Sequence, residues 1–150
     1  MNTGTYVKVV ATQSSEREVR AVMDALGIPN DLRVKEVHIT LMYAPNSKNS
    51  SLETMPHINH RTEVVGVDVL GEGKWRALVL KVRCPSLVRR HNFLRMIGLE
   101  HSYPTFVPHV SLMYGPKSDM YAEKLKAYLD TAPQMYLDFN DEAAEPIKND

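Results

Sequence analysis

The chain is short of cysteine, of any excess of one charge and of long apolar runs, and each shortage excludes a class of protein. Its one cysteine, Cys84, cannot close an internal disulfide or build a cysteine-based zinc site, which suits a reducing compartment. Lysine plus arginine number 18 and aspartate plus glutamate number 18, so the net charge advertises neither long nucleic acid nor an anionic membrane as a partner. No segment approaches the roughly 20 apolar residues of a membrane span. The opening MNTGTYVKVVATQ has neither the basic nor the apolar region of a secretion signal. A cytoplasmic protein acting on a small ligand, with no obligate protein partner, is the expectation.

What is present is an ordinary core. Apolar residues make up 43% of 150 residues, enough for one domain spanning 1–150 that folds without staples. TYVKVVAT (5–12) is β-branched and reads as a strand. SSEREVRAVMDALGIP predicts a helix, with Ser15 and Glu18 spaced as a capping box and Gly27 and Pro29 as stop signals. EVHITLMY (36–43) predicts a strand ended by Pro45 and the polar loop NSKNSS. Residues 61–82 read as two strands joined around Gly71 and Gly73. CPSLVRRHNFLRMIGLE predicts a helix with Ser86 as N-cap, PHVSLMYG a strand, and KSDMYAEKLKAYLDTA a helix with Tyr121, Leu125, Tyr128 and Leu129 on one face. The tail QMYLDFNDEAAEPIKND begins as a strand and then reads as acidic and turn-like.

VHITLMY (37–43) and HVSLMYG (109–115) are nearly one phrase written twice, and each closes a strand-helix-strand unit. Such self-similarity predicts an internal duplication. The expected fold is α+β and bilobal: two pseudo-symmetric, interleaved lobes with antiparallel sheets facing a central cleft and helices outside. Alternation along a strand sends His38 and Thr40 to one face and Ile39 and Leu41 to the other, and it parts His109 and Ser111 from Val110 and Leu112 likewise. Two imidazoles and two hydroxyls would then flank one gap.

That set suits cleavage of a phosphodiester beside a 2′ hydroxyl. Unperturbed imidazole titrates near pH 6.5, so one ring can act as base while the other acts as acid. Thr40 and Ser111 would donate to the phosphate oxygens where charge accumulates. No cofactor is required, and no DxD-type carboxylate cluster of a two-metal enzyme is found. His57 and His60 have the i, i+3 spacing of a metal pair but lack further ligands, so no metal site is expected. His91 and His101 read as surface residues, and Arg89 and Arg90 as a solvated face within reach of a phosphate.

His38-Ile39-Thr40-Leu41 and Pro108-His109-Val110-Ser111-Leu112 resemble the paired H-x-T/S motifs of the two-histidine (2H) phosphoesterase superfamily. Within it the chain looks most like the phage anti-CBASS phosphodiesterases, which destroy cyclic di- and trinucleotide signals of bacterial immunity. The resemblance implies a metal-independent phosphodiesterase cutting 3′-5′ bonds, in host cytoplasm if phage-encoded. It implies His38, Thr40, His109 and Ser111 as catalytic residues. It also implies Tyr6 and a late glutamate as substrate contacts, by position Glu142 with Glu145 as competitor. Trp75, beside the hairpin turn, is a candidate for stacking on a base. The alternatives are an RNA-end 2′,3′-cyclic or 2′-5′ oligonucleotide phosphodiesterase, and a non-catalytic nucleotide sponge.

Overall fold

The computed structural model describes residues 4–46, 52–103 and 105–147, and the predicted loop NSKNSS lies mostly outside them. The chain folds as β1 (Gly4–Ala11), α1 (Gln13–Leu26), β2 (His38–Ala44), β3 (His60–Leu70), β4 (Ala77–Arg83), α2 (Pro85–Met96), β5 (His109–Tyr114), α3 (Ser118–Thr131) and β6 (Tyr136–Ile147). Each pairing between these strands is antiparallel. Around the sheet the order is β6-β1-β2-β5-β4-β3, closed by pairing of β3 with β6.

This order is symmetric about the seam between β2 and β5. A pseudo-twofold axis there exchanges β2 with β5, β1 with β4 and β6 with β3, as the duplicated phrase predicts. The lobes β6-β1-β2 and β5-β4-β3 therefore share one closed sheet, and the fold is α+β with the helices packed on the sheet's apolar face. Val19, Val22, Met23 and Leu26 of α1, Leu87 and Leu94 of α2 and Leu125 of α3 join one core cluster with Val7, Val9, Ile39, Leu80, Val110 and Phe139. Each fully buried side chain of this size contributes about 1.5–3 kcal/mol.

Two expected caps differ. Thr12, not Ser15, is the N-cap of α1: its side chain accepts from the Ser15 amide. The Ser15 hydroxyl is instead taken by the Asp138 amide of β6. In α2, Cys84 stands at the cap with Pro85 following, and Ser86 lies inside the helix with its hydroxyl 2.7 Å from His60 Nδ1. The acidic tail is strand rather than turn, because β6 pairs with β1 as far as Ile147. Between β3 and β4, Gly71 turns at φ 79°, where a Cβ would meet the Trp75 carbonyl oxygen at 2.7 Å.

Candidate active site

The repeated phrase repeats down to its irregularity. In the first lobe Val7 pairs with Met42 and Lys8 with Thr40, which leaves Leu41 as an extra residue. In the second lobe Leu78 pairs with Met113 and Val79 with Ser111, leaving Leu112 extra. A bulge of this kind lets two consecutive residues face the same side. Both Leu-Met pairs are fully buried, although strict alternation would have turned each methionine to the polar face. The bulge also returns Tyr43 and Tyr114 to the side of the histidines.

One rung, Ile39 opposite Val110, joins β2 to β5. Antiparallel register then sets His38 beside Ser111 and Thr40 beside His109. Regular cross-strand neighbours have Cβ atoms about 4.5–5.5 Å apart, and the diagonal pair, here the two histidines, about 7–8 Å. All four side chains are half-buried on the polar face, and Ile39 and Val110 are fully buried beneath them.

Both rings are held alike. His38 Nδ1 lies 3.3 Å from the Glu36 carbonyl oxygen, and His109 Nδ1 lies 2.8 Å from that of Val107, in each case two residues upstream. A carbonyl can only accept, so Nδ1 carries the proton and Nε2 is left with its lone pair. The Tyr6 hydroxyl lies 2.9 Å from His38 Nε2 and 2.9 Å from Thr40 Oγ1. The consistent arrangement is Thr40 donating to Tyr6 and Tyr6 donating to His38. Burial raises the Tyr6 phenol above its ordinary value, which keeps it a donor. Burial lowers His38, an effect the Lys8 charge reinforces and Glu36 opposes. The ring is therefore neutral near pH 7.

The lobes differ around this symmetric centre. Beside His38 lie Lys8, Glu36 and Glu145, with Lys8 Nζ 2.8 Å from Glu36 and 3.4 Å from Glu145. Burial alone would lower Lys8, but the two glutamates outweigh it and raise it. The pseudo-equivalents of Tyr6 and Lys8 in β4 are Ala77 and Val79, both buried yet outside the helix-packed cluster, so the second lobe offers an apolar floor. Sequence reasoning missed Lys8 and Glu36. The available signals were Lys8 standing two residues from Tyr6 on the same strand, and Glu36 two before His38.

The structure thus gathers His38, Thr40, His109, Ser111 and Tyr6 on one face. It does not bring Glu142 to that face. Glu142 lies opposite Val9, is 3% exposed and accepts from Arg90 Nε at 2.9 Å, from Arg90 Nη2 at 2.8 Å and from the Met55 amide at 3.1 Å. Residues three apart in a strand face opposite ways, so Glu145, opposite Tyr6, is on the site's face. Arg90 is accordingly buried rather than solvated. Trp75 is 67% exposed and stands edge-on to Tyr114, with ring centroids 6.2 Å apart, at the end of β5 away from His109. Among the described residues, no three His, Cys, Asp or Glu side chains are placed to hold a metal ion, and no helix is long and apolar enough to cross a membrane.

Residues 3–150 match the family model described as anti-CBASS protein Acb1. The anti-CBASS protein Acb1 of Vibrio phage KVP40 is 32% identical over 111 residues, covering 74% of this chain and 72% of that protein. Its counterpart from Enterobacteria phage T4 is 24% identical over 126 residues, covering 78% and 77%. Among solved structures, TT0787 of Thermus thermophilus superposes with a TM-score of 0.54 over 94% of this chain and 83% of that one, at 17% identity. That last likeness concerns the fold alone. With nearly its whole length matched, the chain belongs to the Acb1 family of anti-CBASS proteins.

Proposed function

We propose that this protein is a metal-independent phosphodiesterase that opens cyclic di- and trinucleotides, of which cGAMP is one example, at a 3′-5′ bond. What carries the reading is the pair of imidazoles, each anchored through Nδ1 to the carbonyl two residues upstream so that Nε2 is left for chemistry, on neighbouring strands about one pseudo-twofold axis. A binding protein has no need of two such bases. Family membership supports the substrate class.

In the proposed reaction His38 Nε2 takes the proton of the ribose 2′ hydroxyl, whose oxygen attacks the neighbouring phosphorus. The bond to the 5′ oxygen breaks, and that oxygen leaves with a proton from Nε2 of His109, which enters this step as the imidazolium. The product is linear and ends in a 2′,3′-cyclic phosphate, which water can open with the two rings exchanging roles. When substrate binds, Thr40 turns its hydroxyl proton from Tyr6 to a non-bridging oxygen, and Ser111 donates to the other. The lobes' asymmetry favours His38 as base: burial keeps the ring neutral, and the incoming 2′ hydroxyl takes the place at Nε2 that the Tyr6 hydroxyl holds in the free protein. Tyr6 and Glu145, rather than Glu142, are the proposed substrate contacts on the first lobe. Trp75 and Tyr114 form an aromatic edge on the second lobe against which a base can stack.

The test is incubation with a panel of cyclic di- and trinucleotides, 2′,3′-cyclic nucleotides and 2′-5′ oligoadenylate, with products read by mass spectrometry. Linear products should form in EDTA, and replacing either histidine by alanine should cost on the order of 100- to 10,000-fold in rate. Cleavage of a 2′-deoxy cyclic dinucleotide would exclude 2′ attack. Recovery of every ligand intact would leave a sponge.

A further inference from the structure

His91 is not a surface residue, and His101 is only partly exposed. His91 is 1% exposed, stacked on Phe106 at 4.1 Å with planes 7° apart, and His101 stands edge-on to it at 4.8 Å. Their contacts go to the bulge of β2. His91 Nδ1 lies 2.7 Å from the Leu41 carbonyl oxygen, and the Tyr43 amide donates to His101 Nδ1 at 3.1 Å. The Ser102 amide donates to the Tyr43 carbonyl at 2.9 Å. Beyond the single rung to β5, these groups occupy the place of a strand.

The other lobe solves the same problem differently. There the extra residue is Leu112, and its carbonyl accepts from the backbone amide of Val34 at 3.0 Å, with Arg33 bridged to Met113. One bulge is thus held by backbone and its pseudo-symmetric twin by two imidazoles. A buried carbonyl left unpaired is destabilising, so each bulge needs its partner.

The contacts fix opposite tautomers. His91 donates through Nδ1, so its buried Nε2 is bare, and that atom has no hydrogen-bond partner among the described residues. His101 accepts through Nδ1, so its proton is on Nε2. A proton added to His101 Nδ1 would set donor against donor at Tyr43.

We propose that His91 and His101 are positioning residues for the reaction, holding the β2 bulge, and with it Thr40 and Tyr43, and that the hold on Tyr43 lasts only while His101 is neutral. This rests on the phosphodiesterase reading of that face. Tyr43 in turn stands edge-on to Tyr6 at 6.2 Å, and Tyr6 is the group that meets His38. The charged group facing the pair is Arg95 of α2. Glu100, which neighbours His101 in the loop, lines the same surface hollow as Arg95, and the Tyr103 ring stands edge-on to His101 at 5.7 Å. Burial first, then His91 and Arg95, lower His101 to about 4, and burial lowers His91 as well.

The test needs no variant at first. Long-range proton–nitrogen NMR of the wild-type protein at pH 7.5 should show the Nδ1–H tautomer for His91 and the Nε2–H tautomer for His101. The Tyr43 amide resonance should move as the pH falls towards about 4, where His101 takes up its proton. His101→Ala should lower kcat roughly ten- to hundredfold with little change in KM, as a displaced catalytic strand would. His101→Gln, which keeps an acceptor that does not titrate, should restore the rate and abolish the pH dependence of the Tyr43 amide. Equal tautomers, or a Tyr43 amide indifferent to pH in the wild type, would overturn the clamp. Full kcat in His101→Ala would overturn its part in the reaction. The amide titration is made without substrate, so its failure is distinct from inactivity of the wild type on cyclic dinucleotides, which would remove the phosphodiesterase reading itself.

Discussion

Two glutamates three residues apart in β6 should fail in opposite ways when neutralised. Glu142 is enclosed and holds Arg90 through two hydrogen bonds, and Arg90 in turn donates to the Glu53 carbonyl at 2.9 Å. Glu142→Gln keeps the shape but strands a guanidinium that is only 8% exposed. Breaking a buried pair by removing one partner costs about 3–5 kcal/mol, a large share of the roughly 5–15 kcal/mol that holds a domain together. For a chain of this size that corresponds to a fall in Tm of about 6–20 °C. Glu145 is exposed and meets Lys8 at 3.4 Å, so Glu145→Gln should cost under about 1 kcal/mol. It should instead weaken hydrolysis of the cyclic dinucleotide. Urea unfolding followed by circular dichroism gives the first quantity, and initial rates well below the melting range give the second. A double replacement, Arg90→Met with Glu142→Leu, should recover much of the lost stability. A Glu142→Gln protein that unfolds at the wild-type midpoint while losing activity would refute this division, because Glu142 would then belong to the site.

Removing the phenol hydroxyl with Tyr6→Phe takes away the bond that favours the neutral form of His38. The acid limb of kcat/KM should therefore move to higher pH, and a limb that stays in place would refute the Tyr6–His38 link. Stability should also depend on acid. His38, His60, His91 and His101 all titrate below their unfolded value of about 6.5, chiefly through burial. The unfolded chain thus binds more protons in that range, so stability is complete above about pH 6.5 and drains as pH falls towards 4. His101 alone accounts for up to about 3 kcal/mol of this. Urea midpoints measured from pH 7.5 to 4.5 that stayed level would contradict the assignment.

The strands, the helices and the histidine pair were legible because periodicity and the duplicated phrase are local signals. What escaped was set by distant partners. The charged tail reads as a turn because nothing local reveals that it pairs with β1; once it is a strand, parity alone separates Glu142 from Glu145. Met42 and Met113 sit on the apolar side because of bulges that alternation does not anticipate. Ser86 looks like a cap by spacing, but its hydroxyl is claimed by His60 from another strand. Histidines 91 and 101 carry no marker of burial in their own segment, since their partners are backbone atoms of β2.

The pairing of Gly4 with Ile147 joins the two ends of the described chain. During synthesis the first lobe therefore lacks its outer strand until β6 has left the ribosome, while β1 waits with an open edge. Contacts so far apart in sequence make for slow closure and for a nascent chain that can pair wrongly in the meantime. Deleting β6 would deprive β1 and β3 of their shared neighbour at once, so the half-built barrel should be recognised by chaperones and proteases as an unfinished product.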